Sequence, residues 1–188
     1  MKTKLLVCFL LAALTSITSI SAQGFQPPAP GKAVVYFTRV TGMGFAISFE
    51  FFHQDKYVGA FKGQNYMRYE LDPGQQLLWA SSENKEFVAC ELKEGGTYII
   101  LVDVIMGAMK ARVGFNPIAS SDERFQRAKE LINSKAPVEM PQEKIEKMNQ
   151  KLVKFIPEQL QKYETEWKGT KNFKSITPDM AIPEEAMK

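Results

Sequence analysis

The sequence predicts a mainly β protein: a β-sandwich, immunoglobulin-like or similar, over residues 31–117, with C-terminal α-helices packed on it. Two observations carry this. From Gly31 to Phe115, apolar runs recur about every 8 to 12 residues with turn residues between them, as strands of a sandwich or barrel do. Beyond Asn116-Pro117 the apolar period changes from two to steps of three and four, the spacing of helices that bury one stripe.

The first residues stand apart from that pattern. Lys2 and Lys4 precede an apolar run from Leu5 to Leu14, and Ile20-Ser21-Ala22 places small residues before a cut, which is the layout of a secretory signal peptide. The run is too short to cross a bilayer, which takes about 20 residues. Cleavage is expected after Ala22, and no transmembrane segment is expected in what remains. The chain then divides into a signal peptide (1–22), a proline-rich leader (23–30), the sandwich (31–117), a helical extension (118–169) and a tail (170–188). Cys8 lies inside the apolar run and away from the cut, poorly placed to carry a lipid. Only Cys90 then survives, so no internal disulfide forms and core packing must hold the fold. The 13 Phe and 6 Tyr can supply that packing. A net charge of +3, with acids and bases interspersed, argues against a nucleic-acid partner.

Each element has its own justification. Gln26-Pro27-Pro28-Ala29-Pro30 reads as an extended spacer, because proline fixes its own φ and biases its predecessor away from helix. Residues 32–38 are apolar on both faces, and Arg39 closes that strand. After the turn Thr41-Gly42-Met43-Gly44, Phe45, Ile47, Phe49 and Phe51 recur at period two, which puts all four on one core face. Tyr57–Phe61 is its hairpin partner, and Gly59 marks a bulge or a close backbone approach. In residues 65–71, Met67, Tyr69 and Leu71 oppose Tyr66, Arg68 and Glu70. Asp72-Pro73-Gly74 makes a Pro-Gly hairpin turn into Gln75–Ala80, with Leu77 and Trp79 opposite Leu78 and Ala80. Glu86–Leu92 turns Val88, Cys90 and Leu92 inward. Tyr98–Ile105 is apolar nearly throughout, as a central strand covered on both faces would be. In Lys110–Phe115, Ala111, Val113 and Phe115 face in.

Helical periodicity begins with Ser120 and Glu123, a capping-box spacing, and continues as the stripe Phe125, Ala128, Leu131, Ile132. A second stripe runs from Pro141 through Ile145, Met148, Leu152, Ile156, Leu160, Tyr163 and Trp167. It stays in phase across Pro157, so a kinked helix, or two nearly coaxial ones, should lie against a single surface. The tail after Gly169 is expected to be extended or poorly ordered.

Chemistry is sparse. His53 is the only histidine and has no second member for a catalytic dyad or metal site; it reads as a turn residue with an exposed imidazole. Cys90 sits on the apolar face of its strand, as a core thiol does. Asp103 interrupts the most apolar strand: it either pairs with Arg39 or Arg112 or meets solvent at the strand end. Tyr57, Tyr66 and Trp79 either belong to a phenylalanine-rich core or present exposed rings that could stack on a sugar or a partner. The lysines of the second stripe, among them Lys144, Lys147 and Lys151, are diluted by Glu143, Glu146 and Glu158, which fits a solvated face better than an anionic lipid surface. No nucleophile elbow, phosphate loop, metal-ligand spacing or dinucleotide glycine pattern occurs.

Three pieces in order, Gly31-Lys32-Ala33-Val34-Val35-Tyr36-Phe37 with Arg39, Tyr66 leading into Tyr69-Glu70-Leu71-Asp72-Pro73-Gly74, and Leu92 through Gly95-Gly96-Thr97-Tyr98, resemble a bacterial family of exported proteins called domain of unknown function 2846. The resemblance implies an exported, largely β domain, often lipid-anchored, with no catalytic residues to carry over. This chain differs from that family in having no cysteine at the expected cleavage site and in its helical part after Ser120. Contact rather than catalysis is therefore expected: a periplasmic or secreted binding or accessory module meeting a protein or envelope component, with no cofactor. The alternative is a carrier of a small apolar ligand or carbohydrate, with a pocket between sheet and helices. Tyr57, Tyr66, Trp79 and Asp103 are the candidate binding residues.

Overall fold

A computed structural model describes residues 23–107 and 111–188. The expected signal peptide with Cys8, and Lys110, lie outside them. Among the described residues nine strands occur: β1 (Ala33–Thr38), β2 (Ser48–His53), β3 (Lys56–Lys62), β4 (Tyr66–Leu71), β5 (Gly74–Ser81), β6 (Lys85–Leu92), β7 (Thr97–Met106), β8 (Ala111–Ile118) and β9 (Lys174–Ile176). They form two sheets, ordered β4-β1-β7-β8 and β3-β2-β5-β6-β9. The mainly β sandwich with helices is therefore the fold.

The core between the sheets is built from the inward half of each alternating strand. Phe37 stacks on Phe51 and Phe115 with ring centroids 5.1 and 5.6 Å apart, while Val35, Leu78, Val88, Ile100 and Val113 close around them. Aromatic pairs of this kind add about 0.5–1.5 kcal/mol each beyond the area they bury. Tyr98, Ile100 and Val102 of β7 enter this core, whereas Ile99 and Leu101 point out of it. That outward row is covered by α1 (Phe125–Ser134), which buries Phe125, Ala128, Leu131 and Ile132. A strand apolar on both faces is thus central and doubly covered, between β1 and β8.

The second sheet has its own cover. Phe52, Trp79 and Phe87 form an aromatic row on its outer face, beneath α2 (Gln142–Lys151) and α3 (Phe155–Lys162). Ile145, Met148, Leu152, Ile156, Leu160, Tyr163 and Trp167 all join this cluster, so the in-phase stripe does lie on one surface. Pro157 falls in the first turn of α3, where no intrahelical partner for its nitrogen is needed, and the chain breaks into two helices just before it. A π-helical turn, Tyr163–Trp167, ends the run.

Several details differ from the sequence reading. The turn at Pro73-Gly74 is a corner and not a hairpin: β4 pairs with β1 in one sheet, while β5 pairs with β2 and β6 in the other. Pro-Gly chemistry specifies a reversal but not which sheet the next strand joins. β8 continues through Asn116-Pro117 to Ile118, because it is an edge strand of its sheet and proline is tolerated there. The capping box is absent: α1 starts at Phe125 without a side-chain cap, and Asp122 accepts the Arg124 backbone N–H instead. Pro141 stands as N-cap of α2 and not as its first residue.

Both ends of the described chain dock. The leader is extended but not a free spacer, since Phe25 packs on Tyr36 at 5.1 Å and the Gln26 N–H donates to the Tyr36 hydroxyl at 2.8 Å. The tail is ordered against expectation: β9 runs parallel to β6 with Val88 opposite Lys174, and Ile176 and Ile182 are buried. Those two isoleucines enter separate cores.

Candidate functional site

Four exposed apolar side chains gather at one end of the sandwich. β1 ends at Arg39, and the following turn holds Met43 (60% exposed) and Phe45 (75%); the far end of β7 brings Ile105 (49%) and Met106 (70%). The two segments touch. A Cβ placed on Gly44 would lie 2.8 Å from Ile47 Cδ1 and 3.3 Å from Val104 Cγ1, so only glycine lets the turn sit this close to β7. Phe45 is thus not on a core face: the strand begins only at Ser48, and the alternation before it belongs to the turn.

Arg39 holds the turn from within. It has no exposed surface, yet its guanidinium donates to the Ile47 carbonyl at 2.9 Å, to the Gly44 carbonyl at 2.7 Å and to the Met43 carbonyl. Its charge also lies 5.8 Å from the centre of the Phe49 ring, and burial pushes its pKa down. Removing a cation from water costs several kcal/mol, so a buried arginine is tolerated only where its hydrogen bonds recover most of that cost. Here those bonds go to three carbonyls of a turn that would otherwise be loose. The result is a stiff loop with Met43 and Phe45 in solvent. At this end the strands carry both signs of charge: Lys62, opposite Ser48, and Arg112, opposite Ile105, against Glu83 and Glu86 at the β5–β6 connection.

The residues singled out in the sequence do not converge. Tyr57, Tyr66 and Trp79 are 3%, 1% and 0% exposed, so the exposed-ring reading is corrected. Trp79 stacks on Phe52 at 3.8 Å and donates its indole N–H to the Gln54 carbonyl at 2.9 Å. The Tyr57 backbone N–H donates to Asn149 on α2, and the Tyr66 hydroxyl donates to the Lys135 carbonyl at 2.8 Å. Burial pushes both tyrosines up to about 12. All three rings anchor outer layers, Tyr57 and Trp79 under α2 and α3 and Tyr66 beside α1.

Asp103 is partly exposed, and neither Arg39 nor Arg112 is its partner. Its Oδ2 accepts from Asn116 Nδ2 at 2.6 Å and from an Arg124 guanidinium nitrogen at 3.2 Å. His53 is half-buried and not free: Nε2 faces Gln76 Oε1 at 2.8 Å, which can only accept, so Nδ1 accepts the Tyr69 hydroxyl at 3.0 Å. Cys90 is buried in the sandwich core, where desolvation raises its thiol to about 12. Among the described residues no cluster of three or more His, Cys, Asp or Glu could hold a metal ion, and no helix is long and apolar enough to cross a membrane.

No protein-family model matches the chain, and no curated protein does. The apolar end is hidden in the sequence because the alternation puts Phe45 on a core face and Arg39 reads only as a strand end and one of two possible partners of Asp103. The signal that could have found it is Thr41-Gly42-Met43-Gly44: turn residues carrying a large apolar side chain, directly before another.

Proposed function

We propose that the protein is an exported, non-catalytic binding or accessory module that acts by contact, with a protein partner seated on its apolar end. The carrying observation is the pair Arg39 and Phe45: a fully buried cation braces a turn whose largest side chain is three-quarters exposed. Large apolar side chains exposed together at one end of a domain point to an interaction site. The rim favours a protein over an anionic lipid surface. Interfaces between proteins have apolar centres and mixed polar rims, whereas lipid-binding patches gather several cations of one sign. The leader-like first 22 residues and the resemblance to the exported family belong to the same reading, and they direct the search for the partner to the periplasm or the outside of a bacterial cell.

A photo-crosslinking side chain at position 45 tests it, with position 153 as control, because Val153 is equally exposed but lies on the helical side. A discrete adduct with one envelope protein is expected from position 45 and not from 153. The purified partner should then bind the wild-type chain and lose that binding with Phe45→Asp. Equal adducts from both positions, no adduct at all, co-sedimentation with lipid vesicles through Phe45, or self-association through it would each overturn the assignment.

A further inference from the structure

At the opposite end of the second sheet lies a groove of about 490 Å³, within the size range of small-molecule sites. Its floor is a tile of three adjacent strands. Leu77 of β5 pairs with Ala89 of β6, which pairs with Ser175 of β9, and Gln75 pairs with Glu91 beside them. One row further along, Trp79 and Phe87 are covered by the helical layer; here that layer has ended, and Ala89, at mid-strand, is exposed. A methyl side chain between larger neighbours leaves the depression.

Two local irregularities meet at this groove. The π-helical turn supplies its wall through Tyr163, and such turns occur frequently at functional sites. Across from it stands Gln54, with φ of 49°, the one non-glycine residue with positive φ among the described residues. That φ belongs to the two-residue turn Gln54-Asp55 joining β2 to β3, with His53 opposite Lys56. Tyr163 adds an independent observation. Only 5% of it is exposed, with its ring stacked on Phe87 at 4.4 Å, yet its hydroxyl has no hydrogen-bond partner among the described residues although the residue lines the groove. That hydroxyl keeps access to solvent and is free to bond a ligand in the groove.

We infer that this groove binds a neutral saccharide. The lining matches that chemistry: an apolar centre, Leu77 and Ala89, for the C–H face of a sugar ring, ringed by the amide of Gln75 and the hydroxyls of Tyr163, Ser175 and Thr177, none of them engaged by another side chain. Lys168 is paired with Glu164 at 2.9 Å and the remaining charged residue of the groove is Glu91, so its net charge is negative and does not attract an anion. The site lies at the other end of the β5 and β6 strands from Phe45 and does not rest on the partner proposed there.

Amide NMR spectra of the full chain, titrated separately with maltotriose, cellotriose and chitotriose, test the inference. One of the three should produce saturable shifts centred on Leu77, Ala89 and Ser175. Ala89→Leu, which fills an exposed position and should leave the remaining spectrum intact, should abolish them. Tyr163→Phe should weaken binding about tenfold, the loss of one hydrogen bond. No saturable shift at up to about 10 mM sugar, a millimolar Kd being the weakest worth the name of a site, overturns the inference. So do shifts that survive Ala89→Leu.

Discussion

Arg39→Met should loosen one turn while leaving the sandwich standing. The substitution removes three guanidinium–carbonyl bonds, to Met43, Gly44 and Ile47. Bonds of this charged type are worth about 1.5–3 kcal/mol each, but the buried cation costs several kcal/mol to desolvate and its Nε has no partner, which costs about 1–3 more. Methionine removes the gain and the cost together while its thioether fills much of the stem's space. Water can serve the freed carbonyls of Met43 and Gly44, which sit on the turn. The net loss of global stability should therefore be only about 1–3 kcal/mol, read as a lower urea midpoint at unchanged slope. The local effect should be larger in rate. The Ile47 N–H, which donates to the Gly44 carbonyl at 2.8 Å, should exchange with solvent about 10- to 100-fold faster. Arg39→Lys should behave like methionine, because one ammonium lacks the planar fork that reaches separate carbonyls. If Ile47 exchanged at the wild-type rate in Arg39→Met, or if lysine restored it, the bracing role would be refuted.

Three other outcomes follow from the same geometry. Stability should decline in alkali: Cys90, Tyr57 and Tyr66 each titrate near 12 when folded and lower when unfolded, from ordinary values of 9 for the thiol and 10 for the phenols. The folded state then holds more protons between about pH 9 and 12 for the thiol and about 10 and 12 for the phenols, so each group removes up to about 1.4 kcal/mol per pH unit within its own window and nothing below it; urea midpoints across that range, flattened in Cys90→Ala, would show it, and a flat profile for the wild type would contradict it. Asp103→Asn should cost no more than about 1 kcal/mol, since its pair with Arg124 is partly exposed, and a thermal-melt loss several times larger would mean that the carboxylate carries more than this pair. Gly59→Ala should cost about 1–3 kcal/mol, because the new methyl would stand 2.6 Å from Met67 Sδ at a φ of 156°, and combining it with Met67→Ala should recover the steric part in a double-mutant cycle; no recovery would assign the whole cost to the backbone.

Much of this architecture was legible before any coordinates, and the reasons can be named. Period-two burial depends only on local pleat geometry, so the two faces of β4 and β5 could be told apart, and the inward residues Val88, Cys90 and Leu92 of β6 and Val113 and Phe115 of β8 could be named. The stripe from Ile145 to Trp167 survived Pro157 because the proline took a place at a helix start. Features decided by tertiary contact were not legible. Whether Pro73-Gly74 folds back within one sheet or crosses to the other depends on which edge is free, and nothing local encodes that. Phe45 matched the alternation by coincidence, before the strand begins at Ser48. The apolar end needed Gly44 against Val104 to exist, and the groove needed a helical layer that stops one row short of Ala89. Asp103 found Arg124 because α1 brings it there, a partner outside the stretch whose period was being read.

The parallel pairing of β9 with β6 has a bearing on how the molecule is completed. The two strands are separated by almost half the sequence, and the Ile182 N–H then bonds back to Thr97 at 2.8 Å, so the last pieces to arrive lock both sheets. Contacts that join such distant stretches form slowly, because the chain entropy must be surrendered before they reward it. Until residue 176 is in place, the Val88–Cys90 stretch of β6 offers unpaired N–H and C=O groups to any strand that drifts by, whether its own or a neighbour's. A chain shortened before Lys174 would remain in that state, with clumping and not simple loss of contact as its failure.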